Sequence, residues 1–433
     1  MIQPGHQILL LDETFFDNPW RLYDRLRQED VSLHRIKLPN GLLAWLVIDH
    51  ALGKEILSDP RLSRDAQSAC RAALTQGIGK DWQSGSGHKP WLISLLNSDP
   101  PDHTRLRSMV ATMFTPVASA RMQPIIKQVA AELVQGLIVS ASAASINLIA
   151  RYAAPLPMMV ISRLLGVPVA DRDQFDSLVL TIMDESAFAD GMSGQLALIE
   201  LGNYLSDLVA IRRSDEHPGE GDETRRAVDF LDTLIAAQFD QQGLTDAELI
   251  YHVALMLIAG YDTTVHLIAN AAHALASNPA LRRQINAKPA GTESLIEEVL
   301  RHDGPGHTTT LRHTTSPITV AGTTIGTGEF LLVSLAAANR DPAAFPEANR
   351  FKIERNGLTH LGFGHGIHHC VGAPLARLES TIAIRALVAA FPNFTLAVDP
   401  AALKWRRSLQ VHGYLRLPIT LHGCNPPLPQ IDR

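Results

Sequence analysis

The sequence predicts a mainly α protein that folds as one domain with small β-sheets. Three observations carry that expectation: helical periodicity dominates, strand-like runs are short and few, and no stretch has the composition of an interdomain linker. A length of 433 residues would allow two or three domains at about 150 residues each. No internal repeat or low-complexity tract marks a boundary, so a single domain over residues 1–433 is preferred, with about 1–15 and 424–433 as peripheral tails.

In chain order, Pro19 to Glu29 places Trp20, Tyr23 and Leu26 on one stripe with charges opposite, an amphipathic helix by spacing. Leu43 to Ile48 and Phe330 to Leu335 are apolar or β-branched runs and read as strands. Gly, Ser, Pro and charge content mark Ser84–Lys89, Ser214–Arg226 and Asn425–Arg433 as loops. The longest periodic segment starts at Thr245, where Thr245-x-x-Glu248 forms a capping box, and stops at Asn278-Pro279. Its roughly 32 residues at 1.5 Å each make a rod of about 48 Å, long enough to cross the molecule. It is apolar from Val253 to Ala259 and then carries Gly260, Tyr261, Asp262, Thr263 and Thr264 at its centre. Glycine and paired threonines are weak helix formers, and the Thr263 hydroxyl is spaced to bond back to the Ala259 carbonyl and open the helix locally. Taken alone, the segment is as well explained by an ordinary kinked core helix.

Composition excludes several classes of function. Lys plus Arg number 38 against 44 Asp plus Glu, a net charge of −6, so nucleic acid is not an expected partner. With 46% apolar and 19% charged residues the chain has material for a large core. The apolar run Ile8 to Leu11 lacks a cationic flank and a cleavage site, so no signal peptide is expected. No 18-residue apolar run free of charge occurs, so no membrane span is expected and the cytoplasm is the default location. Cys70, Cys370 and Cys424 are scattered and odd in number, which argues against a disulfide framework.

The segment Phe363-Gly-His-Gly-Ile-His-His-Cys370-Val-Gly372 stands apart. Its three glycines let a backbone pass close to something flat or bulky, and Cys370 lies just before a helix start marked by Pro374. Helix N-terminal amides are expected to lower its thiol pKa and make it an anionic ligand or nucleophile. A buried structural thiol is the alternative on local grounds.

This segment resembles the haem-binding signature Phe-Gly-x-Gly-x-His-x-Cys-x-Gly of the cytochrome P450 family, in its soluble bacterial class, and matches every fixed position from Phe363 to Gly372. Three further matches follow the family's order. Ala259-Gly260-Tyr261-Asp262-Thr263-Thr264 is similar to its oxygen-activating motif, Glu298-x-x-Arg301 to its Glu-x-x-Arg pair, and Asn349-Arg350-Phe351 to the later segment whose arginine joins that pair. Asp262 stands where bacterial members most often have Glu, a change of reach but not of charge.

The resemblance implies a haem-thiolate monooxygenase, with haem b between the long central helix and the cysteine loop. It makes Cys370 the axial iron ligand and Phe363, Gly364, Gly372, Ala259 and Gly260 haem neighbours. His103, Arg107, Arg312 and His368 become propionate contacts, whereas Arg105, off that helix face, is left to solvent. Glu298, Arg301 and Arg350 form a buried structural triad, and Asp262 with Thr263 handle protons. Thr264 turns about 100° away and is left to helix packing.

For the substrate, Leu255, Met256 and Ala259 lie on the Thr263 stripe, with His252 a satisfied polar neighbour. Family analogy adds the segment Asp65 to Leu95 as a moving lid, Gly306 to Thr310, and Gln410 to Tyr414. Thr308 and Val411 are thereby pocket residues, and His307, Thr309 and His412 hint at a ligand with oxygen atoms. The expected substrate is a small organic molecule, such as a polyketide or macrolide of secondary metabolism, with O2 as co-substrate. The expected electron donor is a ferredoxin or flavodoxin with its NAD(P)H reductase. Oxidative coupling or desaturation on the same fold is the nearer alternative. A zinc site built from His360, His365, His368, His369 and Cys370, or haem carriage without turnover, is the more distant one. The remaining histidines, including His6, His34, His217 and His422, are assigned to the surface, and Cys70 and Cys424 receive no role.

Overall fold

The computed structural model describes residues 8–29, 31–79, 94–140, 144–183, 193–214, 230–236, 238, 243–355, 357 and 359–423. Its axis is the central helix, Asp246–Ser277, of 32 residues, with the bounds that its end signals predict. The Thr245 hydroxyl accepts from the Glu248 N–H at 3.2 Å while the Glu248 carboxylate accepts from the Thr245 N–H at 2.9 Å. Arg105 pairs with the same carboxylate, so it buttresses the start of this helix rather than standing free in solvent. Every residue from Thr264 to Ala272 is buried. The helix is long and apolar enough to cross a bilayer by length and composition, and here it runs through the main core. Thr263 Oγ1 donates to the Ala259 carbonyl at 2.8 Å, as its spacing predicts, but the helix continues unbroken because packed neighbours hold it.

The cysteine helix, Ala373–Ala390, packs against the central helix, against Gln123–Ser140 and against the Glu-x-x-Arg helix, Thr292–His302. Tyr152 locks it by donating to the Ala383 carbonyl at 2.6 Å. At the other end of the molecule, a six-stranded sheet has the order Leu9–Leu10, Leu33–Lys37, Leu43–Val47, Phe330–Val333, Arg312–Thr314, Leu62–Ser63. Phe330–Val333 runs parallel to Leu43–Val47 and stops short of Leu335, which starts a helix capped by Ser334. The helix Pro19–Gln28 closes the sheet with Tyr23 and Leu26 fully buried.

Several expectations change. The N-terminal stretch is not a loose tail from residue 8 onward: Leu9–Leu10 pairs with Ile36–Lys37, and Leu11 and Phe15 are buried beneath it. His34 faces the interior because its strand is covered on both sides. Asp65 to Leu95 is not one long loop, since Asp65 caps the helix Ala66–Thr75 through the Ser68 N–H; residues 80–93, with Ser84–Lys89, lie outside the described residues. Ser214 ends the helix Ser193–Ser214, while 215–226 and the segment 424–433 also lie outside them.

Glu379, on the cysteine helix, is 3% exposed, and burial pushes its carboxyl up to about 8. An acid whose pKa is higher folded than unfolded binds more protons in the folded state between the two values, so its contribution to stability falls as pH rises from 4.5 toward about 8. Glu379→Gln is expected to unfold near the wild-type temperature at the acid end and at increasingly higher temperature than wild type toward the alkaline end. Thermal unfolding across this pH range checks it, and parallel curves would refute it.

Candidate active site

The cysteine loop is shaped by two glycines in left-handed backbone, Gly364 at φ 72° and Gly366 at φ 73°. Gly366 is required twice over, because a Cβ there would meet the Leu57 carbonyl oxygen at 2.4 Å. The Cys370 N–H donates to the Phe363 carbonyl at 2.9 Å, closing the loop, and Arg377 stacks 4.5 Å above the Phe363 ring. Gly372 caps the cysteine helix and Pro374 occupies its first turn. The Cys370 residue keeps an accessible face, yet the protein packed around it pushes its thiol pKa up. This reverses the expected direction: the N–H groups of Gly372 and Ala373 and the charges of Arg107 and Arg377 pull down, but desolvation outweighs them. Coordination to a metal deprotonates such a thiol outright.

Beside this loop lies a dense group of cations. Strand pairing of Leu62 with Thr314 and Ser63 with His313 brings Arg64 next to Arg312. His103, on the helix Asp102–Ala111, has its ring 4.2 Å from that of His368. Arg64, Arg312 and His103 are 7%, 6% and 2% exposed. Arg64 Nε and Nη2, Arg312 Nη1 and His103 Nε2 have no hydrogen-bond partner among the described residues. Burial, then the Arg312 charge, push Arg64 down to about 9, and burial pushes Arg312 down to about 10. His368 is driven to about 2 by burial and then by Arg64, His103, Arg312 and Arg107. Asp99 opposes the trend, but its carboxylate already accepts from the Ser63 hydroxyl and the Arg64 N–H. Arg107 does not join the orphaned donors: its Nη2 donates to the His369 carbonyl at 2.7 Å, beside Cys370. Arg64 is the member that sequence reasoning missed.

The structural triad forms with one exchange of residue. Arg301 and Glu298 have fully buried side chains, with Arg301 Nε and Nη2 on the two carboxylate oxygens at 2.8 and 2.7 Å. Arg301 also donates to the carbonyls of Asn339, Ala348 and Arg350. The second arginine on Glu298 is Arg355, at 3.3 Å, and not Arg350. Arg350 contributes its carbonyl while its side chain turns outward to Glu347. Alongside, Glu297 accepts from Arg377 and lies 3.1 Å from His360 Nε2, tying the Glu-x-x-Arg helix to the cysteine helix.

On the central helix, Leu255, Met256, Gly260 and Thr263 are half-buried and Ala259 is exposed, an open face on an otherwise enclosed rod. A Cβ at Gly260 would touch only Ile161 Cδ1, at 3.6 Å, so no protein neighbour demands the glycine. Asp262 turns away from that face to Arg406, with His266 Nε2 3.5 Å from the same oxygen. Burial works to raise the Asp262 pKa, but His266 and Arg406 outweigh it and hold the carboxyl below its ordinary value. His252 is buried, with Nδ1 2.6 Å from the Glu248 carbonyl. The polar residues expected to meet substrate are engaged elsewhere. Thr308 donates to the Leu409 carbonyl at 2.8 Å, His307 bonds the Tyr23 hydroxyl at 2.7 Å, and the Thr309 hydroxyl accepts from the Val333 N–H at 3.1 Å. His412 is stacked on Trp405 with ring centroids 3.9 Å apart. Val411 is half-buried, bridged to Gly306.

Among the described residues no three His, Cys, Asp or Glu side chains converge to hold a bare metal ion, which removes the zinc alternative there. The orphaned cations, the thiol at a helix start and the open face at Gly260 fit a flat dianionic macrocycle with a soft axial position. Fold and site together define a haem-thiolate oxygenase. The family model described as "Cytochrome P450" matches residues 80–287 and 291–410. Similar proteins include the cytochrome P450 monooxygenase PikC of Streptomyces venezuelae, 37% identical over 94% of this chain and 92% of that one. The vitamin D(3) 25-hydroxylase of Pseudonocardia autotrophica is also 37% identical, over 95% and 96%. Among solved structures, the bacillaene polyketide synthase cytochrome P450 PksS of Bacillus subtilis 168 superposes with a TM-score of 0.84 at 30% identity, covering 95% of this chain and 99% of that one. The chain belongs to the cytochrome P450 family; it is a monooxygenase that uses haem b, O2, an organic substrate and electrons from a redox partner.

Removing one member of a buried charged network costs about 3 to 5 kcal/mol, whereas an exposed pair is worth about 0 to 1 kcal/mol. Arg301→Ala is therefore expected to give poorly folded, haem-free protein. Arg355→Ala is expected to lower stability and haem occupancy, and Arg350→Ala to leave both near wild type. Haem-to-protein absorbance ratios and urea unfolding of the three variants check the exchange; a severe Arg350→Ala with a silent Arg355→Ala would reverse it.

Proposed function

We propose that Cys370 is the axial thiolate of haem b and that the enzyme inserts one oxygen atom into a polyketide- or macrolide-type substrate by hydroxylation or epoxidation. The observation that carries the reading is Cys370 at a helix start beside buried guanidinium and imidazole nitrogens that have no hydrogen-bond partner among the described residues. Haem b supplies, when bound, the reductive activation of O2. Cys370 donates electron density to the iron, and the Gly372 and Ala373 amides hold charge on its sulfur. His103, His368 and Arg312 receive the haem carboxylates. The Ala259–Gly260 stretch lets the ring approach the central helix. Thr263, anchored on the Ala259 carbonyl, keeps its oxygen lone pairs toward the open face and orders a proton there. Asp262, held ionised by Arg406 and His266, accepts and returns protons one residue away.

The substrate lies along Leu255, Met256 and Ala259, with Val411 as a further apolar contact; an apolar wall of this kind suits a large, mostly hydrocarbon molecule. The likeness to PksS, the cytochrome P450 of bacillaene polyketide synthase, supports the substrate class. Electrons arrive from a ferredoxin or flavodoxin, through its NAD(P)H reductase, on the cysteine side, where Ile367 is 51% exposed and Arg377 half-buried. The enzyme works in the cytoplasm.

Reduced wild-type protein exposed to carbon monoxide is expected to show the strongly red-shifted Soret band of a thiolate ligand, and Cys370→His to lose it. Haem bound without that band in wild type would reject Cys370 as thiolate ligand. Thr263→Ala is expected to consume NAD(P)H through the partners at a near-normal rate while product falls and hydrogen peroxide rises. Unchanged coupling of product to NAD(P)H would reject the proton role.

A further inference from the structure

The orphaned nitrogens beside the cysteine loop include two on a residue that the sequence does not single out. Arg64 presents both Nε and Nη2 without a partner among the described residues, although the residue is 7% exposed. It sits on the strand edge next to Arg312, whose Nη1 is also unpartnered. Two guanidinium groups buried side by side repel each other, and unsatisfied N–H groups add a desolvation cost. Asp99, the carboxylate that offsets their charge, is held by the Ser63 hydroxyl and the Arg64 backbone N–H instead. An anion with several acceptor oxygens would satisfy these donors and offset their charge. A planar fork satisfies one carboxylate at two points, which an ammonium does not.

We infer that Arg64 is a haem-binding residue, closing a carboxylate clamp with Arg312, His103 and His368. This rests on the haem reading of the same site. Arg64 binds the carboxylate nearer the sheet edge, so the strand Leu62–Ser63 and the helix Ala66–Thr75, which flank it, are fastened to the cofactor. Arg107, bound to the His369 carbonyl, supports the cysteine loop instead.

The test compares wild type, Arg64→Gln and Arg64→Lys, each loaded with haem b or with its dimethyl ester, in which both carboxylates are blocked. Loss of the cofactor to excess apomyoglobin is followed by absorbance. Haem b is expected to leave Arg64→Gln about ten- to a hundred-fold faster than wild type, and Arg64→Lys at an intermediate rate. The ester is expected to leave all three at similar rates. Equal haem b loss from wild type and Arg64→Gln would overturn the inference. So would an acceleration as large for the ester as for haem b, which would mark Arg64 as a packing residue. Should Arg64→Gln fail to fold, Arg64→Lys carries the same comparison, with several-fold faster loss of haem b and unchanged loss of the ester expected. Wild type that takes up neither form would overturn the haem reading itself, whereas a tightly held haem b indifferent to residue 64 overturns only the role of Arg64.

Discussion

The Glu298 carboxylate is the point from which the cysteine side of the molecule hangs. Both of its oxygens are buried, and it accepts from two nitrogens of Arg301, from the Lys352 N–H and from Arg355. Lys352 and Arg355 belong to a stretch that has no regular structure of its own to hold it. Arg301 extends the grip to the carbonyls of Asn339, Ala348 and Arg350, so a helix and an irregular segment become one unit. That segment leads directly into the loop that carries Cys370. A charge buried without these bonds would cost several kcal/mol, which is why the network is all or nothing. The position of the thiol is therefore fixed by bonds to a residue far from it in sequence.

A second electrostatic balance operates on the other side of the loop. Arg64, Arg312, His103 and His368 are brought together by a strand pair, a helix and the cysteine loop itself, and burial first, then neighbouring arginine charge at Arg64, His103 and His368, lowers their proton affinity. Anything that binds the folded state alone stabilises it, so under the proposed clamp haem uptake and folding would be coupled through these side chains. The thiol obeys the same logic: burial keeps its proton on until a cation takes the proton's place.

What the sequence made legible was local. The central helix was readable to its end residues because a capping box and an Asn-Pro stop act within one turn. The glycine-rich loop was readable because backbone shape and close approach leave a spaced signature. Arg355 was missed in favour of Arg350 because proximity to a motif does not say which side chain of an irregular segment turns inward. Arg64 was missed because its neighbours come from strand pairing between distant segments, which no local pattern encodes. His307, Thr308 and His412 looked like substrate contacts because polar residues in an apolar region suggest a ligand. His307 and Thr308 bond Tyr23 and the Leu409 carbonyl, since buried polar groups are nearly always satisfied inside the protein, whereas His412 is packed by stacking on Trp405. The direction of the thiol pKa was misread because the helix-terminus effect is visible in sequence and burial is not.

Asp262 and Thr263 are adjacent, yet the helix sends them to different environments. Thr263 lies on the open face with Ala259, whereas Asp262 borders a hollow of about 400 Å³ that is also lined by Tyr261, His266, Arg406 and Tyr414. Their separation of about 100° around the axis turns one toward the open face and the other toward that hollow. Gly413 makes this possible, because a Cβ there would fall 2.0 Å from His266 Nδ1 and displace the ring that steadies Asp262. A carboxylate kept ionised by His266 and Arg406 can hold a proton only briefly, which suits a relay and not a store. Under the proposed assignment, proton entry and substrate entry would be divided by the step between two neighbouring residues of one helix.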